Sequence, residues 1–322
     1  MRLTAVWLLF ALAPAAAGAQ TPADRLRAAE AAYPPWRHGD GGVEEGRGLP
    51  FTVPPADVLA DFHGRLENPG LVLFASGNYF FALGQLVMAF EDAAPRWRGR
   101  VFWETLPPGL LVRQMEAGGT ITSGNMTFTV IPDVYMAEFV ASRELAARGR
   151  LAEPVVTFAT NDLAIMVPAD NPAHVAGLAD LARPQLGLAM PNPEFEGVAR
   201  QIRASLVKAG GEDLAEAVYG AKVGAGFTIL TRIHHRQTPL WLMQGLVAAG
   251  VAWRSEALFQ EEIGNPIGHV DIPADVNSTA SYSAAMVTGA PHPEAARAWI
   301  DFVRSDAAFA ILARYGFGRP AP

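Results

Sequence analysis

Two short stretches hold most of the side chains able to do chemistry. The first is TRIHHRQTPLW, where Arg232, His234, His235 and Arg236 precede Thr238-Pro239. Arginine grips an anion with two parallel hydrogen bonds, and histidine either donates to an anion or ligates a metal. Proline directly after threonine reads as N-cap and first helical residue, which puts the cluster on a loop that opens a helix. Adjacent histidines point different ways in most backbone conformations, so His-His is a weak metal signature. Each histidine has the alternative of a surface or hydrogen-bonded structural role. The second stretch is LVLFASGN, an apolar run from Leu71 into Ser76-Gly77-Asn78 that passes at once into helix-compatible YFFALGQLVMAFED. A strand-to-helix turn exposes unpaired amides and the positive end of the helix dipole, which suits an anion. Ser and Asn are also ordinary N-cap residues, and one turn can do both. Gly77 lets a ligand approach the backbone, and Asn78 can donate through its amide.

These loops need a scaffold, and the pattern around them supplies one. From Leu71 the chain repeats apolar strand, polar turn and amphipathic helix: LVLFA then 79–92, RVFWE then 109–118, DVYMA then 140–149. Strands separated by helices predict parallel pairing and an α/β layer structure. A second series begins at VVTFATNDLAIMVP and continues through LGLAM and helices at 194–209 and 238–248. The strand YSAAMVTGA and the helices PEAARAWIDFVRS and AAFAILARYGF close the chain. Residues 20–68, rich in Pro, Gly and charge, read as an irregular extension with helical patterns at 22–32 and 55–66.

Half of the 322 residues are hydrophobic, enough for two ordinary cores. The net charge of −7 argues against nucleic acid as a partner but leaves a small anion open, since local dipoles and arginines outweigh net charge within a cleft. MRLTAVWLLFALAPAAAGAQ has the parts of a secretory signal, with cleavage expected after Ala19, and its apolar run is too short for a membrane anchor. With no cysteine there is neither a lipidation site nor a disulfide framework. There is no cysteine nucleophile and no GxSxG, GxxxxGK or HExxH motif, so neither catalysis nor a cofactor is expected.

The order of LVLFASGN, LLVRQMEAGG, PDVYMAEFVASRELAARGRL, LAIMVPADNP, PNPEFEGVARQIRASLVKAG, GVAWRSEAL and HPEAARAWIDFVRSDAAFAILARYGF, from about Leu71 to Phe317, resembles the periplasmic molybdate-binding proteins of ABC importers. The resemblance implies a two-lobed type II periplasmic-binding-protein fold of α/β class, with one oxyanion held between lobes joined by a strand hinge. Lobe 1 is expected from 69–153 plus 270–322 and lobe 2 from 154–269. It further implies an exported, monomeric periplasmic protein that hands a small anion, similar to molybdate, tungstate or sulfate, to a membrane permease. The alternatives are a binder of a metal ion, a metal chelate or an organic acid, or a ligand-sensing subunit for a membrane receptor.

Carried over by position, Ser76 stands where the resembling proteins place a small hydroxyl residue against the ligand. Their second hydroxyl run is replaced by Glu104-Thr105-Leu106-Pro107-Pro108-Gly109, where Thr105 alone offers a hydroxyl, and TITSGNMTFTVI is an insertion able to reshape the cleft rim. Glu138 falls near a position that is small in the relatives. Glu194 and Glu196 precede the long helix where bare amides are usual. Carboxylates repel an oxyanion, so these glutamates face solvent or cap a helix, accept hydrogen bonds from a protonated or hydroxyl-bearing ligand, or bind a metal. Trp253 replaces a ligand-bonding tyrosine, keeping an N–H donor on a larger apolar face, and either touches ligand or packs between lobes. The expected ligand set is Ser76, Gly77, Asn78, Thr105, Glu138, Glu194, His234, Arg236 and Trp253, with no metal ligands.

Overall fold

The structure, a computed structural model, describes residues 20–32, 62–123, 126–194, 196–232 and 234–321. In chain order come α1 (Pro22–Ala32), β1 (Phe62–Gly64), β2 (Leu71–Ser76), α2 (Phe80–Ala93), β3 (Val101–Leu106), α3 (Pro108–Glu116), β4 (Thr120–Ser123), β5 (Met126–Thr129), β6 (Val134–Glu138), α4 (Phe139–Ala147) and β7 (Val156–Asn161). Then follow β8 (Leu163–Pro168), β9 (Leu188–Met190), α5 (Gly197–Glu216), α6 (Lys222–Gly224), β10 (Thr228–Leu230), α7 (Gln237–Met243), β11 (Ala249–Trp253), α8 (Arg254–Glu262) and β12 (Ile267–Asp271). The last elements are β13 (Ala280–Met286), α9 (Pro293–Val303) and α10 (Asp306–Arg314).

The strands sort into two main sheets, ordered β1-β3-β2-β6-β13-β7 and β10-β9-β11-β8-β12. Parallel pairs β2–β3 and β2–β6 place the ends of successive strands side by side, with Ala75 opposite Thr105 and Ser76 opposite Leu106. Every residue of β2 is buried, as expected of an apolar strand covered on both faces. One cover is α2, which buries Ala82, Leu83, Leu86, Val87 and Phe90 at helical spacing against Trp299 and Phe302 of α9. The second sheet has its own core around Ile165, Leu188, Ile202 and Val251.

The chain passes from the first sheet to the second between Asn161 and Leu163, and returns between Asp271 and Ala280. The expected boundary at 153/154 put Val156–Asn161 in the second lobe, whereas β7 pairs with β13 in the first sheet. Asn277 ties both crossings together. Its Oδ1 accepts from Leu163 N at 3.2 Å, and its Nδ2 donates to Leu163 O at 2.9 Å and Ile272 O at 3.3 Å.

Other expectations shift as well. Phe62–Gly64, expected at the end of a helix, is a strand antiparallel to β3, because Phe62 packs on Phe102 and edge-on to Phe128; residues 55–61 lie outside the described residues. The helix at 22–32 is present and docks on the second lobe, where Arg25 donates to Gly245 O and Leu246 O. The polar insertion folds as the β4–β5 hairpin. The helix expected at 238–248 ends at Met243, shortly before Gly245 takes a positive φ of 66°. The signal at 1–19 lies outside the described residues. Among the described residues no helix is long and apolar enough to cross a membrane.

Candidate functional site

At the end of β2 the chain makes a 3₁₀ turn, Gly77–Tyr79, before α2. Ser76 does not cap it through its side chain. Its Oγ is buried beside the Tyr79 hydroxyl with no aligned hydrogen-bond partner, while that hydroxyl donates to Met136 O at 2.6 Å. Asn78 Nδ2 donates to the Tyr282 hydroxyl at 2.9 Å, so this amide orients a neighbouring ring.

The loop after β10 faces this turn. His234, His235 and Arg236 are all buried, which excludes the surface role for either histidine. Their rings do not diverge: the centroids of His234 and His235 are 3.8 Å apart. The backbone explains it, since the Arg236 N–H donates to His234 Nδ1 at 3.2 Å and the His235 N–H to Glu196 Oε2 at 2.6 Å. Arg236 then reaches across to the first lobe. Its Nη2 donates to Gly77 O at 2.9 Å and lies 3.4 Å from Thr105 Oγ1. A Cβ added at Gly77 would come within 2.8 Å of Arg236 Nη2 and 2.9 Å of His234 Nε2, so both groups converge on that turn. Burial, with the charges of His235 and Arg236 beside it, holds His234 well below the usual imidazole range. It is therefore neutral at pH 7, and with Nδ1 accepting, its proton sits on Nε2, the nitrogen nearest Gly77.

Behind these donors lies an ionic triad. Glu196 Oε1 accepts from Asn192 N and from the Thr231 hydroxyl, and Oε2 accepts from both His235 N and His235 Nδ1. His235 Nε2 is 3.2 Å from Glu256 Oε2, an ion-pair distance without hydrogen-bond alignment. Burial alone would lower the His235 pKa, but the charges of Glu256 and Glu196 prevail and push it up to about 9. Glu256 is 2% exposed, and neither of its oxygens has a hydrogen bond. Trp253 Nε1 is likewise buried without a partner, its ring edge-on to Tyr282 at 5.9 Å.

Residues 71–318 match the sequence profile of a family described as bacterial extracellular solute-binding protein. The chain belongs to that family. The molybdate-binding protein ModA of Mycobacterium tuberculosis (strain ATCC 25618 / H37Rv) is 25% identical over 243 residues, spanning 74% of this chain and 84% of ModA. Two solved structures share the fold. The sulfate-binding protein SubI from M. tuberculosis H37Rv has a TM-score of 0.63 at 20% identity, covering 78% of this chain and 87% of SubI. The periplasmic molybdate-binding protein of Azotobacter vinelandii has a TM-score of 0.60 at 17% identity, covering 78% and 100%. The fold is thus the two-lobed type II periplasmic-binding one, and the chain is a solute-binding protein of ABC-type transport rather than an enzyme.

Against that fold the expected ligand set divides. Contacts bring Gly77, Thr105, His234 and Arg236 together beside Ser76, and Tyr282 links Asn78 to Trp253. Glu138 and Glu194 stand apart in this solute-binding protein. Glu138 is spent on the start of α4, accepting from Val140 N and Ala141 N at 3.1 Å each, and Glu194 is exposed. Glu256 was missed, because an acid in the first turn of a helix already has a local explanation in the dipole. Glu196, His234 and His235 bring ligand-type atoms within 4.8 Å of one another, a grouping that could hold a metal. In the observed arrangement their lone pairs are committed: both His235 nitrogens face carboxylates, His234 Nδ1 accepts from Arg236, and that arginine adds a positive charge. The groups at the turn are mainly donors, which suits an anion.

Proposed function

We propose that this solute-binding protein carries a small oxyanion between its lobes as the cargo of an ABC importer, exported to the periplasm as a monomer behind a cleaved signal. One observation carries the reading: Arg236 and His234, from the second lobe, converge on the Ser76-Gly77 turn and Thr105 of the first. Each is a buried donor at pH 7, and a guanidinium paired with an oxyanion in a desolvated cleft forms strong charge-assisted bonds. Ser76 Oγ and Trp253 Nε1 add hydrogen-bond capacity that the protein leaves unused. The kinship with ModA and the fold shared with a sulfate binder support the same solute class. On this reading Ser76, Gly77, Thr105, His234, Arg236 and Trp253 hold the anion, and Asn78 acts through Tyr282.

A thermal-shift screen of molybdate, tungstate, sulfate, phosphate, carboxylates and divalent cations tests it. A solute that binds only the folded protein at a hundredfold excess over Kd raises stability by about 2.7 kcal/mol. At least one anion is expected to raise the transition; if only cations do, the anion reading is wrong.

A further inference from the structure

Glu256 is the one buried acid of the cluster that the anion reading leaves without a task. Glu196 is saturated by four donors and already supplies His235 with a counter-ion. Glu256, a second carboxylate beside the same imidazole, is buried without an aligned hydrogen bond next to a cleft that suits an anion. Such a carboxylate is costly unless something donates to it. Its surroundings border the site: His235 lies 3.2 Å away, Tyr282 is close enough to feel its charge, and α8, the helix that carries it, packs against Gly77–Tyr79. Trp253, three residues earlier, holds a buried indole N–H that is also unpartnered.

We propose that the solute is an oxyanion that still bears a hydrogen at neutral pH, of the hydrogen phosphate class, and that Glu256 selects it by accepting that hydrogen. The inference rests on the anion reading and narrows it. Arg236, His234 and Ser76 serve any oxyanion, whereas a carboxylate facing the same ligand is favourable only when an O–H lies between them. Sulfate, molybdate and tungstate are fully ionised at neutral pH and would set oxygen against oxygen with no proton to share. Sites built to hydrogen-bond a solute hydroxyl reject analogues lacking it by large factors, because their own buried polar group is left unpaired.

Titration calorimetry of the wild-type chain at pH 7 with inorganic phosphate, sulfate and molybdate decides the matter. Phosphate is expected to bind at least about 100-fold more tightly than either of the others. Sulfate or molybdate binding as tightly as phosphate would overturn the selection by Glu256 while leaving the anion reading intact. If none of the three binds, this inference falls, and silence from carboxylates in the thermal-shift screen would take the anion reading with it. Glu256→Gln, which places an amide donor where the acceptor stood, should cut the preference for phosphate over sulfate by at least about tenfold. An unchanged preference in a folded variant would overturn the role of Glu256. Should that variant not fold, the wild-type ranking alone decides.

Discussion

The guanidinium carbon of Arg236 lies 3.9 Å over the ring of Phe80, and the same side chain donates to Gly77 O. A residue of the second lobe is therefore stacked and hydrogen-bonded on the first, which fixes the plane of its fork where the two lobes meet. Arg236→Ala should weaken binding of the anion found in the screen by about 2–5 kcal/mol, the scale for removing one partner of a desolvated charge pair. Arg236→Lys keeps the charge but loses the fork and the stacking, and should recover only part of that affinity. Glu194→Gln, at an exposed position, should change it by less than about 0.5 kcal/mol. Calorimetry on the three variants checks the ranking.

Gly77 is needed for its missing side chain. Since a Cβ there meets Arg236 Nη2 at 2.8 Å and His234 Nε2 at 2.9 Å, Gly77→Ala must push apart the groups that meet across the cleft. We expect at least about a tenfold loss of anion affinity, near 1.4 kcal/mol. The melting temperature of the ligand-free protein should move by only a few degrees, because the lobe cores are untouched. A large drop in that temperature with affinity preserved would contradict this role.

Glu104 lies wholly buried in β3, and burial, offset only in part by the Gln114 side chain, pushes its pKa from 4.5 up to about 8. The sign follows from linkage: above pH 4.5 the unfolded chain releases this proton while the folded chain keeps it, so stability declines from there to about pH 8. Glu104→Gln should remove that decline and stabilise the protein at pH 7 by on the order of a few kcal/mol. Denaturant unfolding of wild type and variant between pH 4.5 and 8 gives both slopes.

The paired histidines act in opposite directions. His235, raised from 6.5 to about 9, stabilises the fold fully below pH 6.5, and that contribution is lost as the pH rises through 9. His234, kept neutral, makes the unfolded chain the stronger proton binder below pH 6.5, so its effect is a loss of stability on acidification. His235→Gln should flatten the alkaline limb of the pH–stability curve and His234→Gln should flatten the acidic one. Glu196→Ala, which strips four donors of their acceptor, should cost about 3–5 kcal/mol at pH 7. Equilibrium unfolding across pH 5 to 10 separates the three effects.

Much of this architecture could be read from residue order. β2 is buried throughout, and β3 and β6 nearly so, which leaves little alternation to confuse, and the turn at Ser76-Gly77-Asn78 announces a strand passing into a helix. The basic loop at 232–236 declared its chemistry through composition alone. What sequence could not decide was which acid belonged with it. Glu194 and Glu196 stand two residues apart before one helix, yet one is exposed and the other buried, and the partners that distinguish them, Thr231 and His235, are distant in sequence. The helix expected across 55–66 failed at Phe62 because contacts with Phe102 and Phe128, distant in sequence, favour a strand over local propensity.

Asn277 bonds to Leu163 on one crossing and Ile272 on the other, so the two connecting segments are fastened into a single knot. Two independent straps would let the halves slide or shear past each other. One knot leaves rotation as the easy motion, with the axis passing near Asn277. A turn of a few degrees at such an axis grows in proportion to distance from it. The outer rims, where a membrane partner would read the state of the protein, are thereby geared to an event that barely disturbs the bonds at the pivot itself.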